Sequence, residues 1–245
     1  MVKCIHDDLN IIGVIHARGG SKRIPLKNIK PLGGLPLISY IINAAKESKY
    51  LRRVIVSTDH PEIKRISLEL DVEVPFDRPK ELAEDCPSEW VTQHAVRFIE
   101  DQELRSVDIA VTMQPTTPFC LSSDIDRCID ILLSSQGLNS VFSAKTVHER
   151  PEWMFMVHED FRGEPFIAGE MKGERGVFQS LQKLVIPNGA VYATRRSSLF
   201  DEGVIISKKT GVHVMPPERS IDIDEPIDFL FAELFISRMR STPTP

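Results

Sequence analysis

Cysteine is scarce in this sequence, and its copies are poorly spaced for a joint role. Cys4, Cys86, Cys120 and Cys128 lie far apart with no Cys-x-x-Cys pair, which argues against a structural zinc site and a disulfide framework. The seven histidines also lack the His-Glu-x-x-His spacing of a zinc protease. Of these histidines, only His16 draws attention, because it ends a strongly apolar segment.

Long apolar runs and an excess of positive charge are missing as well. No segment reaches the roughly 18 consecutive apolar residues of a membrane span, and the opening MVKCIHDDLN has no apolar core of signal-peptide length. We therefore expect a cytoplasmic protein with no membrane partner. The net charge of −5 predicts no general attraction to nucleic acid, so any polyanion site must be a local basic patch.

The apolar segments that are present alternate between strand and helix patterns. This alternation predicts right-handed crossovers and an α/β fold with a doubly wound, mostly parallel sheet. The predicted strands are residues 10–16, 53–58, 72–74, 107–113, 140–144, 191–194 and 212–214, and the predicted helices are residues 36–48, 61–70, 89–101, 124–134 and 228–239.

The alternation stops at about residues 146–187, where no helical period can be found. We interpret this stretch as an excursion inserted between two strands of the sheet. A chain of 245 residues is close to the upper size for one hydrophobic core. We therefore predict a single domain over residues 1–245 that carries this excursion.

The segment ARGGSKRIPLKNIKPLGG follows the first predicted strand and has the composition of an anion-binding loop. Gly19 and Gly20 allow the backbone amides to approach a ligand, and the surrounding cations suit a triphosphate. Neither a Walker loop nor Gly-x-Gly-x-x-Gly is present, and a solvated basic loop is the alternative. The cations that we assign to the ligand are Arg18, Lys22, Arg23 and Lys27.

The segment SIDID near the end of the chain alternates strictly between apolar and acidic residues. In an extended conformation Asp222 and Asp224 would point to one side. Two neighbouring carboxylates repel each other unless a cation lies between them, and a pair of hard oxygen ligands suits magnesium. The alternative is an edge strand with two solvated acids. Asp228 is interpreted as a helix-start residue.

Two further polar segments fall near strand ends, where ligands bind in open parallel sheets. Gln114 begins QPTTP, a rigid turn whose side chains can orient a sugar or base hydroxyl, or which only stiffens a strand exit. Asn188 begins Asn-Gly-Ala, which offers either a sugar contact or a turn. Together with the loop and the acidic pair, these segments could converge on one crevice.

The order and spacing of these motifs resemble the acylneuraminate cytidylyltransferases, the CMP-sialic acid synthetases and their bacterial relatives. The likeness covers nearly the whole chain from Ile11 to about Arg240. The motifs are ARGGSKRIPLKNIKPLGGLPLI, VSTDHPEI, RPKELAED, QPTTPF, PNGAVYAT and SIDIDEPIDF.

The resemblance implies a Rossmann-like nucleotidyltransferase fold that forms a homodimer, partly through the excursion. It also implies transfer of CMP from CTP to the anomeric hydroxyl of a nonulosonic acid, with Mg²⁺ (or Mn²⁺) as cofactor and pyrophosphate released. It implies these roles for the motif residues: Arg18, Ser21 and Lys27 at the triphosphate, Arg78 and Ser88 at the cytidine, Gln114 at the sugar, and Asp222 and Asp224 at the metal. From the residues themselves we add Gly19 and Gly20 to the nucleotide site and Asn188 to the sugar site.

The departures from the family pattern concern the acceptor. The family often carries an Arg-rich stretch just before Asn-Gly-Ala, where this chain has VFQSL at residues 177–181. We expect Arg150, Lys172 or Arg175 to meet the sugar carboxylate instead, and Phe178 or Trp153 to contact N-acyl or deoxy groups. This favours a bacterial-type, less hydroxylated nonulosonic acid. Phe119-Cys120 and Glu89 are further departures.

Two other functions stay open from the sequence. One is cytidylyl transfer to a different sugar acid such as Kdo, although the opening motif of Kdo-specific relatives differs. The other is a non-catalytic nucleotide-sugar-binding protein of the same fold. Arg18, Lys27, Asp222 and Asp224 are all present, which argues against this second alternative.

Overall fold

Ten strands and six helices make up the computed structural model, which describes residues 8–167 and 182–241. The strands are β1 (Ile11–His16), β2 (Pro31–Leu32), β3 (Leu35–Pro36), β4 (Arg53–Ser57), β5 (Ile109–Met113), β6 (Ser140–Thr146), β7 (Phe155–Val157), β8 (Gly163–Pro165), β9 (Val185–Arg195) and β10 (Thr210–Val214). The helices are α1 (Ile38–Lys46), α2 (Pro61–Glu69), α3 (Lys80–Ala83), α4 (Ser88–Glu103), α5 (Ser122–Ser134) and α6 (Pro226–Ser241).

A six-stranded sheet in the order β10-β6-β9-β5-β1-β4 forms the centre of the protein. Strand β9 runs antiparallel to both of its neighbours, and the other neighbouring strands are parallel. The central strands consist almost wholly of apolar residues because helices cover both faces of the sheet. One face packs on α1 and α5 and the other on α4, so the predicted doubly wound, mostly parallel α/β fold is confirmed.

The structure differs from the predicted elements in three places. Residues 72–74 contribute only an isolated bridge between Glu73 and Ile55. Strand β9 is much longer than predicted, because it continues out of the sheet alongside the end of β6, where Val185 pairs with Thr146. The short antiparallel pair of β2 and β3 was not predicted.

The excursion between β6 and β9 begins with a short 3₁₀ turn at Pro151–Trp153 and continues into the β7–β8 hairpin. Its apolar side chains are unusually open to solvent, with Val157 76% and Phe161 92% exposed. Residues 168–181 lie outside the described ranges. The single-domain assignment stays a prediction.

Across residues 8–167 and 182–241, no helix is both long enough and apolar enough to cross a membrane.

Candidate active site

A cavity of about 410 Å³ opens at the carboxyl ends of β1 and β5, which are neighbours in the sheet. This is the edge at which ligands bind in open α/β sheets. The basic loop after β1, the QPTTP turn after β5 and the first turn of α4 meet there. Of the predicted site residues, those that line the cavity are Arg18, Ser21, Lys27, Arg78, Ser88, Gln114 and Asp224.

Backbone contacts fix the start of the basic loop against the neighbouring strand end. The Gly19 amide donates to Asp59 Oδ1 at 2.9 Å, and the Asn28 side chain donates to the Arg18 carbonyl at 2.9 Å. A Cβ at position 19 would lie 2.7 Å from a His60 ring carbon, so only glycine allows this approach. Gly20 has open space around its Cα and can present its backbone to a ligand.

The cations of the loop face carboxylates, and one of these was missed by the sequence reasoning. Asp85 lies 2.5 Å from the Arg18 guanidinium and 2.5 Å from Lys22 Nζ. Hydrogen bonds from Lys22 and Arg18 lower the pKa of Asp85 to about 2. Asp85 is the last residue of RPKELAED, and that motif was the available signal. Arg23 pairs with Glu225 at 3.1 Å.

Arg78 belongs to the wall of the cavity and is itself buried. Its Nε donates to Ser57 Oγ at 3.0 Å and its Nη2 donates to the Ser57 carbonyl at 2.6 Å. Burial lowers the pKa of Arg78 to about 10, so the side chain keeps its charge at neutral pH. Arg78 therefore joins the end of β4 to the cavity and adds fixed positive charge beside it.

His16 forms part of the cavity wall where β1 ends. Its Nε2 lies 3.1 Å from Thr92 Oγ1, which lies 2.8 Å from Thr112 Oγ1. Burial, with a smaller contribution from the Arg78 charge, lowers the pKa of His16 to about 3. The imidazole is therefore neutral at physiological pH and acts as a hydrogen-bonding group rather than as a cation for phosphate.

The low pKa of His16 predicts a pH-dependent stability. The unfolded chain takes up a proton at the ordinary value of 6.5, while the folded chain does so only at about 3. The free energy of unfolding should therefore fall as pH drops below 6.5, by about 2 kcal/mol between pH 8 and pH 5. Urea unfolding at the two pH values measures this change.

His16→Gln should remove most of that loss, and the remainder comes from His94, whose pKa burial also lowers. His158→Gln, in the solvent-exposed hairpin, is the matched control and should behave like the wild type. Equal pH sensitivity in His16→Gln and the wild type would contradict the buried neutral imidazole.

Lys27, Asp222 and Asp224 form the charged centre of the site. Lys27 Nζ lies 3.1 Å from Asp224 Oδ1 and donates to the Ile223 carbonyl at 2.6 Å. Asp222 is half-buried and receives a hydrogen bond from Thr116, and its Oδ1 atom is buried with no hydrogen-bond partner among the described residues. Burial, and then the neighbouring Asp224, raise the pKa of Asp222 above its ordinary value.

This acidic pair is chemically suited to a divalent cation. A buried carboxylate oxygen with no partner and a second carboxylate close by are both stabilised by added positive charge. No group of three or more His, Cys, Asp or Glu side chains in the described ranges could hold a metal. A magnesium ion typically takes one or two carboxylates together with substrate phosphates and water, so the residues present fit that mode of binding.

In the Asn-Gly-Ala segment, Gly189 rather than the Asn188 side chain lies next to the site residues. Gly189 has φ +79°, and a Cβ there would lie 3.5 Å from Gln114 Oε1 and 3.8 Å from Asp222 Oδ2. The Asn188 side chain is buried, accepts from Ser143 Oγ at 2.6 Å and donates to Ser220 Oγ at 3.0 Å. This placement favours a structural role for Asn188 over the predicted sugar contact.

Of the predicted partners of the sugar carboxylate, Arg150 lies in the described part of the chain and does not line the cavity. Arg150 is 4% exposed and donates to the Gln182 carbonyl at 2.5 Å, at the base of the excursion. Trp153 lies one turn later, with its amide donating to the Arg150 carbonyl. Lys172, Arg175 and Phe178 lie outside the described residues.

Comparison with known proteins agrees with this geometry. The family model described as "Cytidylyltransferase" matches residues 12–155. N-acylneuraminate cytidylyltransferase A of Danio rerio is 34% identical over 94% of this chain, but the chain spans only 51% of that protein. Pseudaminic acid cytidylyltransferase of Campylobacter jejuni is 30% identical, over 90% of this chain and 94% of its own length.

The fold has a close match among solved structures. The structure of CMP:2-keto-3-deoxy-manno-octonic acid synthetase complexed with CTP superimposes with a TM-score of 0.65. The match covers 94% of this chain and 99% of that one at 16% identity, so it shows the nucleotidyltransferase fold alone. The family match and the Campylobacter relative are evidence for more than the fold. They show that this chain belongs to the cytidylyltransferase family.

Proposed function

We propose that this protein transfers CMP from CTP to the anomeric hydroxyl of a nonulosonic acid and releases pyrophosphate. The observation that carries the proposal is the meeting of the basic loop, including Lys27, with Asp224 at one cavity, while Asp222 lies close enough to both residues for their charges to act on its pKa. A triphosphate needs clustered positive charge and a divalent cation. The basic side chains here supply the positive charge, and the carboxylates can bind the divalent cation. The names of the two relatives support CTP and a sugar acid as substrates.

The reaction proceeds without a covalent enzyme intermediate. The anomeric oxygen attacks the α-phosphorus, the bond from that phosphorus to the bridging oxygen breaks, pyrophosphate leaves, and the hydroxyl proton passes to water. Arg18 and Lys27 stabilise the charge that develops on the phosphoryl oxygens, and Gln114 orients the sugar. Asp222 and Asp224 would hold Mg²⁺ or Mn²⁺, which when bound supplies further charge neutralisation.

The acceptor carboxylate needs a cation if it is taken out of water. Lys145 at the end of β6 is exposed and close enough to lower the pKa of Asp222. We add Lys145 to Arg150, Lys172 and Arg175 as a candidate partner, because Arg150 donates to a carbonyl in the excursion. The apolar character of the excursion supports a less hydroxylated, N-acylated nonulosonic acid as the acceptor.

Pyrophosphate release with CTP and a panel of acceptors tests the proposal and its alternatives. We expect release with a diacetamido-trideoxy nonulosonic acid, weaker release with N-acetylneuraminic acid, and none with UTP or without an acceptor. A clear preference for Kdo would favour the alternative in which Kdo, rather than a nonulosonic acid, is the acceptor. Tight binding of CTP and of the product with no release under any condition would favour the non-catalytic binding protein.

The exposed apolar hairpin supports a homodimer in which this face is covered. Phe155 is 51% and Val157 76% exposed, and they lie two positions apart in β7. Monomeric proteins rarely expose contiguous apolar patches of this kind. Light scattering after gel filtration should give twice the mass of one chain. Phe155→Lys combined with Val157→Lys should give the monomer mass.

The control for this experiment is Glu159→Lys, which adds positive charge to the turn of the same hairpin without removing an apolar side chain. It should stay dimeric. A monomeric wild type, or a double variant that remains dimeric, would contradict the proposed interface.

A further inference from the structure

We propose that Asp124 is a positioning residue that holds the Asp222–Asp224 segment in place through Arg219. The expected effect on turnover rests on the proposed function. The structural consequence is independent of that function. Asp124 does not line the cavity and lies on α5, outside every motif that the sequence analysis singled out.

Asp124 is a buried carboxylate with four hydrogen-bond donors. It is 1% exposed in the first turn of α5. Arg219 donates to it from Nε at 2.9 Å and from Nη2 at 3.0 Å. The Leu121 amide lies 3.1 Å from Oδ2 and His213 Nε2 lies 3.0 Å from Oδ1. Such a two-pronged contact fixes the guanidinium in direction as well as in distance.

These contacts join the two segments that meet at the charged centre. The Leu121 amide ends the segment that runs from Gln114 through the QPTTP turn into α5. His213 lies on β10, and Arg219 follows it by six residues in the chain. Asp124 therefore fixes the start of α5 and the segment that leads to Asp222 against each other.

Only two residues separate Arg219 from Asp222 in the chain, and hydrogen bonds hold this segment on both sides of Asp222. Ser220 Oγ accepts from the Asn188 side chain at 3.0 Å, and the Ile223 amide donates to the Thr116 carbonyl at 2.8 Å. Asp222 lies between these two anchors. Because Thr116 also hydrogen-bonds the Asp222 carboxylate, a shift of this segment would move Asp222 away from both Thr116 and Lys27.

The protein contains a matched ion pair that serves as the control. Glu100 on α4 accepts from Arg196 Nε at 2.7 Å and from Arg196 Nη2 at 3.0 Å. The geometry is the same and the carboxylate is largely buried, but neither residue lines the cavity. Glu100→Gln and Asp124→Asn both break a bidentate contact, so a general loss of stability should appear in both variants.

The first measurement is hydrogen exchange in the metal-free protein. In Asp124→Asn we expect the Ile223 amide to exchange about tenfold faster than in the wild type, since local exchange reports local opening. Glu100→Gln should leave that amide unchanged. This readout needs neither CTP nor an acceptor, so it tests the positioning role even if the wild type transfers no CMP, an outcome that would contradict the proposed function alone.

The second measurement is steady-state kinetics. In Asp124→Asn the turnover number should fall about 10- to 100-fold while the KM for CTP changes by less than about threefold, since Asp59 and Asp85 hold the start of the triphosphate loop independently of this segment. Arg219→Lys keeps the positive charge but loses the two-pronged contact, so its turnover number should also fall. If Asp124→Asn does not fold, Arg219→Lys takes its place in both measurements. An unchanged Ile223 amide, or an equal loss of turnover in Glu100→Gln, would overturn the proposal.

Discussion

Asp222→Asn and Asp224→Asn should each lower the turnover number about a hundredfold or more, with the fold intact. Each change removes one negative oxygen from the pair that would hold the divalent cation. The charge that develops on the phosphoryl oxygens is then less stabilised in the transition state, which lowers the turnover number. Initial rates of pyrophosphate release at saturating CTP and Mg²⁺ measure the effect.

The two variants should differ in their effect on stability. Asp222 is half-buried with an unpaired oxygen and a raised pKa, so a neutral amide there should leave the free energy of unfolding unchanged or raise it. Asp224 is exposed and paired with Lys27, and its loss should change stability by at most about 1 kcal/mol. A severe loss of turnover without a loss of stability is the signature of a metal ligand.

Asp71→Asn is the control for both variants. Asp71 is 93% exposed in its side chain and has φ +52°, a conformation that asparagine tolerates as well as aspartate. Its turnover should match the wild type. Near-normal turnover in both Asp222→Asn and Asp224→Asn would contradict the metal assignment.

Arg18→Ala and Lys27→Ala should each weaken CTP binding about 10- to 100-fold, with a smaller effect on the acceptor. A charge-assisted hydrogen bond to a phosphate contributes roughly 1.5–3 kcal/mol, which sets this scale. Both side chains line the cavity, and Lys27 also contacts Asp224. The loss in Lys27→Ala should therefore extend to turnover, whereas Arg18→Ala should act mainly on affinity.

Calorimetric titration with CTP measures both affinities, and Lys30→Ala supplies the control. Lys30 belongs to the same basic loop, but its Nζ lies 4.7 Å from the centre of the Phe229 ring and it does not line the cavity. This variant should bind CTP within about twofold of the wild type. Equal losses in Lys30→Ala and Arg18→Ala would mean that the loop acts through net charge rather than through specific contacts.

The parts of the site that local sequence determines could be predicted. The basic loop follows a buried strand and carries its charges within a few residues of one another, so its position at a strand end and its chemistry are both visible in the sequence. Asp222 and Asp224 were predicted as a pair, and Lys27 of the loop contacts Asp224. The backbone amides of Ile223 and Asp224 donate to the Thr116 carbonyl and to the Asp228 carboxylate rather than to a neighbouring strand.

The parts that depend on contacts distant in sequence could not be predicted. Strand β9 is antiparallel because the excursion returns the chain from the far end of β6, and no residue pattern encodes that return. Asn188 was interpreted as either a sugar contact or a turn, and its hydrogen-bond partners Ser143 and Ser220 lie 45 and 32 positions away in the sequence. Asp85 and Asp124 likewise meet their cations only in the folded chain.

A ³¹P NMR spectrum of the protein incubated with CTP, Mg²⁺ and a nonulosonic acid tests the central claim most directly. If the cavity transfers the cytidylyl group, the three CTP signals should be replaced by a phosphodiester signal from the CMP-sugar and a pyrophosphate signal of twice its integrated intensity, since pyrophosphate has two equivalent phosphorus atoms. Appearance of CDP with inorganic phosphate would show attack at the γ-phosphorus and would contradict the account, as would an unchanged CTP spectrum with every acceptor.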